Sequence, residues 1–194
     1  MSIEIEKKYR LTKDERESVL ARLRELGAQF VGQEFEENTI YTGGAINIRN
    51  CVLRLRRVGG SAILTFKERF PSSSAIKRQR EDETRVDDAD AMADILEGIG
   101  FQRALVYEKR RATWRFAETE VVVDDLPFGL FMEIEGEEKA IENAEKLLGL
   151  KEVKPELATY PQLTAEYGQE VGFTTEARFD QSLRNNSQTR SSDG

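Results

Sequence analysis

Residues 51–68 read CVLRLRRVGGSAILTFKE, and their alternation decides the fold. Leu53 and Leu55 fall on one side of an extended chain and Arg54 and Arg56 on the other, because successive side chains of a strand point to opposite faces. Gly59-Gly60 supplies the two positive φ angles that a two-residue hairpin turn requires, so residues 61–68 return beside 51–58. Outward from this hairpin the same period recurs. Residues 3–9 set Ile3, Ile5, Lys7 and Tyr9 against Glu4, Glu6 and Lys8. Further strands are predicted over roughly 30–42, 75–86, 102–116, 118–125 and 130–136, with a loop at 71–74.

Helical spacing appears between the strands. Thr12 with Glu15 forms a capping box ahead of Val19, Leu20, Leu23 and Leu26, which predicts a helix over 13–27 ending at Gly27. A second helix, 88–99, presents Met92, Ile95, Leu96 and Ile99; a third, 138–148, presents Ile141, Ala144, Leu147 and Leu148. A short helical turn is predicted at 160–167. From Gly168 the chain turns polar and ends in Asn, Ser and Gly, which predicts a folded domain over 1–167 and a disordered tail without catalytic duty over 168–194. Eight strands joined mostly by hairpins make an α+β domain with an antiparallel sheet, and eight strands can close into a barrel without exposed edges.

Composition narrows the chemistry. The 194 residues suit one domain with a real core. A net charge of −7 argues against a nucleic-acid partner, though a local basic pocket remains compatible with it. There is no histidine, which excludes Ser–His–Asp catalysis and His-ligated zinc; any metal is held by oxygen, favouring a hard ion. The single cysteine, Cys51, fits a reducing compartment. No apolar run approaches the roughly 20 residues of a membrane helix, and MSIEIEKKYR lacks a signal-peptide core, so no membrane partner and a cytoplasmic location are expected.

The polar faces of the strands carry like-signed pairs. Glu4 and Glu6 are followed by Lys8; Arg54 pairs with Arg56, Lys109 with Arg111, Glu133 with Glu135, and Glu81 with Glu83. Lys67 and Asp124 stand singly on otherwise apolar strands. Any one pair fits a solvated sheet face. Together they do not, because like charges side by side repel unless each pair faces an opposite charge. Acidic pairs suit a divalent cation and basic pairs a polyanion. With Ile3, Ile5, Leu53, Leu55, Leu64, Phe66, Met132 and Ile134 expected to be buried under helices, the barrel is apolar outside and charged inside.

These residues resemble the CYTH superfamily, the triphosphate tunnel metalloenzymes. Glu4-x-Glu6-x-Lys8 looks like its N-terminal signature. Leu-Arg54-Leu-Arg56, Leu-Thr-Phe-Lys67, Arg80-Glu81-x-Glu83, Glu-Lys109-x-Arg111, Val-Asp124-Asp and Phe-Met-Glu133-Ile-Glu135-Gly follow in the family's order. Thr159-Tyr160-Pro-Gln-Leu163 is similar to the Ser-Tyr-x-x-Leu close of the CyaB-like branch. The segment 36–41 lacks the aspartate that the family often carries there, and no role is assigned to it. Strand parity points Arg80 outward.

The resemblance implies an eight-stranded antiparallel tunnel with a charged interior, flanked by helices. It implies that Glu4, Glu6, Asp124, Glu133 and Glu135 hold Mg²⁺ or Mn²⁺, and that Lys8, Arg54, Arg56, Lys67, Lys109 and Arg111 grip a triphosphate. Glu4, Glu6, Lys8 and Glu135 are the expected catalytic set. Glu81 and Glu83 are expected to serve a second metal or to orient basic partners. The expected function is a metal-dependent triphosphatase acting on inorganic tripolyphosphate or on thiamine or nucleoside triphosphates. The alternatives are a class IV adenylate cyclase and a non-catalytic polyphosphate-binding module. The partner is a small-molecule triphosphate, with a homodimer left open.

Overall fold

The computed structural model describes residues 2–47, 50–71 and 75–180. The chain opens with β1 (Ser2–Leu11), α1 (Lys13–Glu25) and β2 (Gln29–Thr42). The hairpin β3 (Cys51–Val58) and β4 (Ser61–Arg69) follows, then β5 (Lys77–Val86) and α2 (Ala89–Gly98). A meander of β6 (Gln102–Phe116), β7 (Thr119–Leu126) and β8 (Gly129–Glu135) leads to α3 (Glu138–Leu148) and α4 (Tyr160–Tyr167). The described chain ends with β9 (Gln169–Val171) and β10 (Thr174–Ala177).

Hydrogen-bonded neighbours run β2-β3-β4-β5-β1-β8-β7-β6, and β2 also pairs with β6, so eight antiparallel strands close into a barrel. The hairpin at 51–68 forms as its alternation predicts: Leu55 stands opposite Leu64, and Gly59 and Gly60 have φ of 54° and 79°. The capping box of Thr12 and Glu15 is present at the start of α1. Closure falls to β2, the 14-residue strand, whose register shifts at Phe30/Gly32 and Ile40/Tyr41 let it bend between two partners.

The helices cover the outer faces as the alternation requires. Val19, Leu20 and Leu23 of α1 and Ile141, Ala144 and Leu148 of α3 pack with Tyr9, Val121, Val123, Met132 and Ile134. Ala93 and Leu96 of α2 pack with Tyr41, Leu53, Leu55 and Ala62. The fourth helix has another task. Tyr160 and Leu163 meet Ile40, Tyr107, Leu126 and Phe131, which share strand parity with the charged residues of the interior. An apolar plug thus closes one end of the charged space.

Three expectations change. Ile95 and Ile99 are 56% and 68% exposed, because α2 is short and rests on the sheet through Ala89, Met92, Ala93 and Leu96. Ile3 is also exposed, since it lies beyond Glu6, the first residue of β1 that pairs with β8, and outside the α1–α3 core. Gln169–Val171 and Thr174–Ala177, expected to lie in the tail, form strands instead. β10 pairs parallel with β6 at Leu105–Tyr107, and β9 folds back on β10. The polar composition of 168–180 misled because only Ala177 and Phe179 of this segment are buried apolar residues, and ion pairs supply the rest of its hold. Arg178 pairs with Glu37 and Glu108, and the backbone N–H of Phe179 donates to Glu108 at 2.9 Å. Residues 181–194, and 72–74 of the expected loop, lie outside the described residues. Arg178→Met is expected to lower stability by about 1–3 kcal/mol, read by chemical unfolding. An unchanged midpoint would mean that the hairpin adds nothing to the barrel.

Candidate active site

The barrel encloses a cavity of about 1030 Å³. All the sequence-predicted site residues line it except Asp124, which is fully buried in its wall. Strand register explains why they meet. Glu6 stands opposite Lys77 on β5 and Glu135 on β8, Lys8 opposite Glu133, Arg111 opposite Asp124, and Lys67 opposite Glu81. Arg80 pairs instead with Asp82 at 2.7 Å, off the inward-facing row, as strand parity predicts.

Glu4, Glu6 and Glu135 offer carboxylate oxygens within 4.8 Å of one another. Burial pushes Glu135 up to about 8 despite Arg111, with Glu4, Glu133 and Glu6 adding to the rise. Burial and Glu133 likewise push Glu6 up. Burial also raises Glu4, but hydrogen bonding with Glu81 and the charge of Lys67 outweigh it and leave Glu4 low. Burial first, and neighbouring carboxylates after it, make Glu6 and Glu135 hold their protons more tightly. The donor set is all oxygen and anionic, which fits Mg²⁺ or Mn²⁺.

The other two acids of the expected metal set are placed differently. The Arg111 guanidinium donates to both oxygens of Asp124, at 2.8 and 2.6 Å, and to Glu133 at 2.6 Å. Tyr160 Oη donates to Asp124 at 2.7 Å. Lys8 lies 3.4 Å from Glu133, and its charge and that of Arg111 hold Glu133 low against burial. Asp124 and Glu133 thus face basic groups, while the acidic trio stands beside them.

The basic residues form a continuous wall. Arg54 and Arg56 both reach Glu83, at 3.4 and 3.2 Å, and Thr65 donates to that carboxylate at 2.7 Å. Glu83 thus faces two arginines. Glu81 joins Lys67 at 2.9 Å and hydrogen-bonds with Glu4, so burial and Glu4 raise it. Nε of Arg54 and of Arg56 has no hydrogen-bond partner among the described residues. Lys67 Nζ donates to Glu4 at 2.8 Å. Lys109 is almost wholly buried between Glu36 at 3.4 Å and Asp124 at 3.6 Å.

Sequence reasoning missed several members. Glu36, on the segment left without a role, is 1% exposed and faces Arg56 and Lys109. Burial raises it, but the charges of Lys109, Arg111 and Arg56 outweigh that and lower it to about 2. The signal available was parity: Glu36, Asn38 and Ile40 share one face of β2, though Glu36 to Thr39 reads as a plain polar run. Gln79 donates to Glu4 at 3.1 Å. Tyr160 carries Lys8 Nζ over its ring at 3.9 Å, a contact made by chain far away in sequence.

Comparison with known proteins agrees with this architecture. A protein of Methanocaldococcus jannaschii that carries the provisional name adenylate cyclase is 29% identical over 150 residues, covering 75% of this chain and 83% of that protein. The solved structure of the PH1012 protein of Pyrococcus horikoshii superposes with a TM-score of 0.72 at 26% identity, over 81% of this chain and 96% of that one. A Hippeastrum protein, described as an adenylyl cyclase candidate with a dominant triphosphatase activity, shares the fold at 18% identity. Its TM-score is 0.66, over 89% of this chain and 99% of that one. Residues 2–167 match the CYTH domain as a whole, and the chain belongs to that family.

Proposed function

We propose that this protein is a divalent-metal-dependent phosphohydrolase acting on a triphosphate, inorganic tripolyphosphate foremost. The observation that carries this is the juxtaposition, in one cavity, of the Glu4–Glu6–Glu135 trio with a wall of six cations. A module that only bound polyphosphate would have no need of three mutually repelling carboxylates. The chemistry of hydrolysis asks mainly for positioning and charge neutralisation. A divalent ion held by the trio would supply Lewis-acid polarisation of the phosphate oxygens.

The protein's own residues do the rest. Arg54, Arg56 and Arg111 present planar forks to phosphate oxygens, while Lys8, Lys67 and Lys109 act as point charges. Asp124, Tyr160 and Glu83 hold those groups in place before substrate arrives, so little reorganisation is needed on binding. The apolar plug at α4 bars water from one end of the cavity. In the reaction, a water oxygen bonds to the terminal phosphorus and the bridging P–O bond breaks. The bridging oxygen leaves on diphosphate, and the water proton is lost to solvent.

A second reading is cyclisation of ATP, in which the ribose 3′-hydroxyl attacks the α-phosphate and diphosphate leaves. A cavity of about 1030 Å³ has room for a nucleotide, and the Methanocaldococcus relative bears that name. One assay separates the two. The full chain is incubated with tripolyphosphate and, separately, with ATP, each with Mg²⁺ or Mn²⁺, and the products are identified. Orthophosphate from tripolyphosphate is the expected result. Cyclic AMP with diphosphate from ATP, and no orthophosphate from tripolyphosphate, would overturn hydrolysis in favour of cyclisation.

A further inference from the structure

Beyond residue 167, where the match to the CYTH domain stops, the chain adds the hairpin of β9 and β10. Its place on the barrel has a local cause. β7 pairs with β6 only from Arg110 to Phe116, which leaves the β6 edge at Leu105–Tyr107 to another strand. β10 takes that edge, with Ala177 beside Tyr107. On the outer face Phe179 anchors the hairpin, with the Arg110 guanidinium 4.0 Å over its buried ring.

The hairpin and α4 meet at Gly168. Its φ is −74°, an angle open to any residue, so space and not backbone conformation calls for glycine there. A Cβ at this position would lie 2.5 Å from the Thr164 carbonyl oxygen, 2.8 Å from Thr175 Cγ2 and 3.0 Å from the Glu176 carbonyl oxygen. Two of those atoms are backbone, one in the last turn of α4 and one on β10. The two elements are therefore packed with no room for a methyl group between them.

From that junction a line of contacts runs into the cavity. Gly168 N–H donates to the Thr164 carbonyl at 2.8 Å, and Thr164 Oγ1 donates to the Tyr160 carbonyl at 2.7 Å. Tyr160 Oη donates to Asp124 at 2.7 Å, and Lys8 Nζ lies 3.9 Å over its ring. Lys8 Nζ also donates to the Ala158 carbonyl at 3.2 Å, just ahead of the helix. Ala177 of β10 packs in the same apolar cluster as Tyr160 and Leu163. Glu4 and Glu6 of the trio pair elsewhere, with Lys67, Gln79 and Lys77 on β4 and β5.

We propose that the β9–β10 hairpin is a clamp on α4, and that Gly168 and Phe179 are positioning residues for phosphate binding, fixing where Tyr160 and Ala158 hold the Lys8 ammonium. This rests on the triphosphate reading above and deepens it, because one phosphate-gripping residue then depends on chain outside the barrel. The clamp bears on the phosphate wall and leaves the trio alone. A hairpin that served only to stabilise the fold would not make that distinction.

The test compares full-length Gly168→Ala and Phe179→Ala with the parent. Each is titrated by calorimetry, well below its unfolding temperature, with sodium tripolyphosphate in metal-free buffer and with Mn²⁺ alone. Both variants are expected to weaken tripolyphosphate binding about tenfold and to leave Mn²⁺ affinity unchanged. Phe179→Leu, which keeps an apolar side chain under Arg110, is expected to recover most of the tripolyphosphate affinity. Gly149→Ala is the stability control. Gly149 ends α3 with a φ of 76° and open space around it, so alanine strains the fold there without touching α4. It is expected to bind both probes as the parent does. If Gly168→Ala does not fold, Phe179→Ala carries the test. Parent-like tripolyphosphate binding in Phe179→Ala overturns the clamp. Weaker binding of both probes overturns it in favour of general loosening, as does a loss of tripolyphosphate affinity in Gly149→Ala equal to that in Gly168→Ala. A parent that binds no tripolyphosphate overturns the triphosphate reading itself, and the clamp's role in phosphate binding with it.

Discussion

Glu135→Gln is expected to remove metal-dependent turnover, by about 10²–10³-fold, while making the metal-free domain more stable at alkaline pH. The two effects have one cause. Glu135 belongs to the trio whose oxygens lie within 4.8 Å of one another, and burial among other carboxylates pushes it up to about 8. In the unfolded chain the same carboxyl ionises near its ordinary value of 4.5. The folded state therefore binds the proton more tightly. The corresponding stability is fully present below the unfolded value and is lost as pH rises from 4.5 toward about 8. A glutamine does not titrate, so the variant escapes that loss, on the order of a few kcal/mol.

The same proton governs the metal. Below about 8 a divalent ion must displace it, so Mn²⁺ affinity of the parent is expected to climb with pH through that range, with proton release visible as a buffer-dependent heat. In Glu135→Gln the pH dependence is shallower and the affinity lower. Thermal unfolding with chelator at pH 6 and pH 9, beside turnover with saturating Mn²⁺, checks all of this. A variant with full turnover removes Glu135 from the site. A parent whose metal-free stability does not fall between those pH values removes the electrostatic account.

Arg111→Met is the counterpart on the basic side, and its expected effect is on the fold. Asp124 is fully buried, and Arg111 supplies both of its charged hydrogen bonds as well as one to Glu133. Removing the guanidinium leaves Asp124 with the Tyr160 hydroxyl at 2.7 Å and Lys109 at 3.6 Å. Breaking one side of a buried ion pair typically costs about 3–5 kcal/mol, so a large drop in the urea midpoint is expected. Arg111→Lys is expected to recover only part of it, since an ammonium keeps the charge and loses the fork. If the methionine variant unfolds with the parent's midpoint, the Asp124–Arg111 pair does not brace this wall, and Asp124 returns to the metal set implied by resemblance alone.

Much of the barrel was legible before any coordinates. Period-two alternation is a local property of the extended backbone, so the Leu53–Arg56 run, Gly59-Gly60 and the Glu4–Lys8 strand announced their faces without help from the rest of the chain. The capping box at Thr12 and Glu15 is local for the same reason. Like-signed pairs on successive strands then required a shared ligand of mixed charge.

What needed the tertiary structure is whatever depends on which strand sits beside which. Closure through β2 and β6 turned Glu36 from one letter of a polar run into a buried partner of Lys109. Register across β1, β5 and β8 brought Glu4, Glu6 and Glu135 together, while Asp124 and Glu133 meet Arg111. The fold of α4 brought Tyr160 onto Lys8 and Asp124. The hairpin at 169–177 stayed hidden because Glu37, Glu108 and Arg178 meet only after the barrel has closed. Alternation tells each side chain which way to face. Charge pairing over distances of a few ångströms decides what it meets, and that distance is set by the closed sheet.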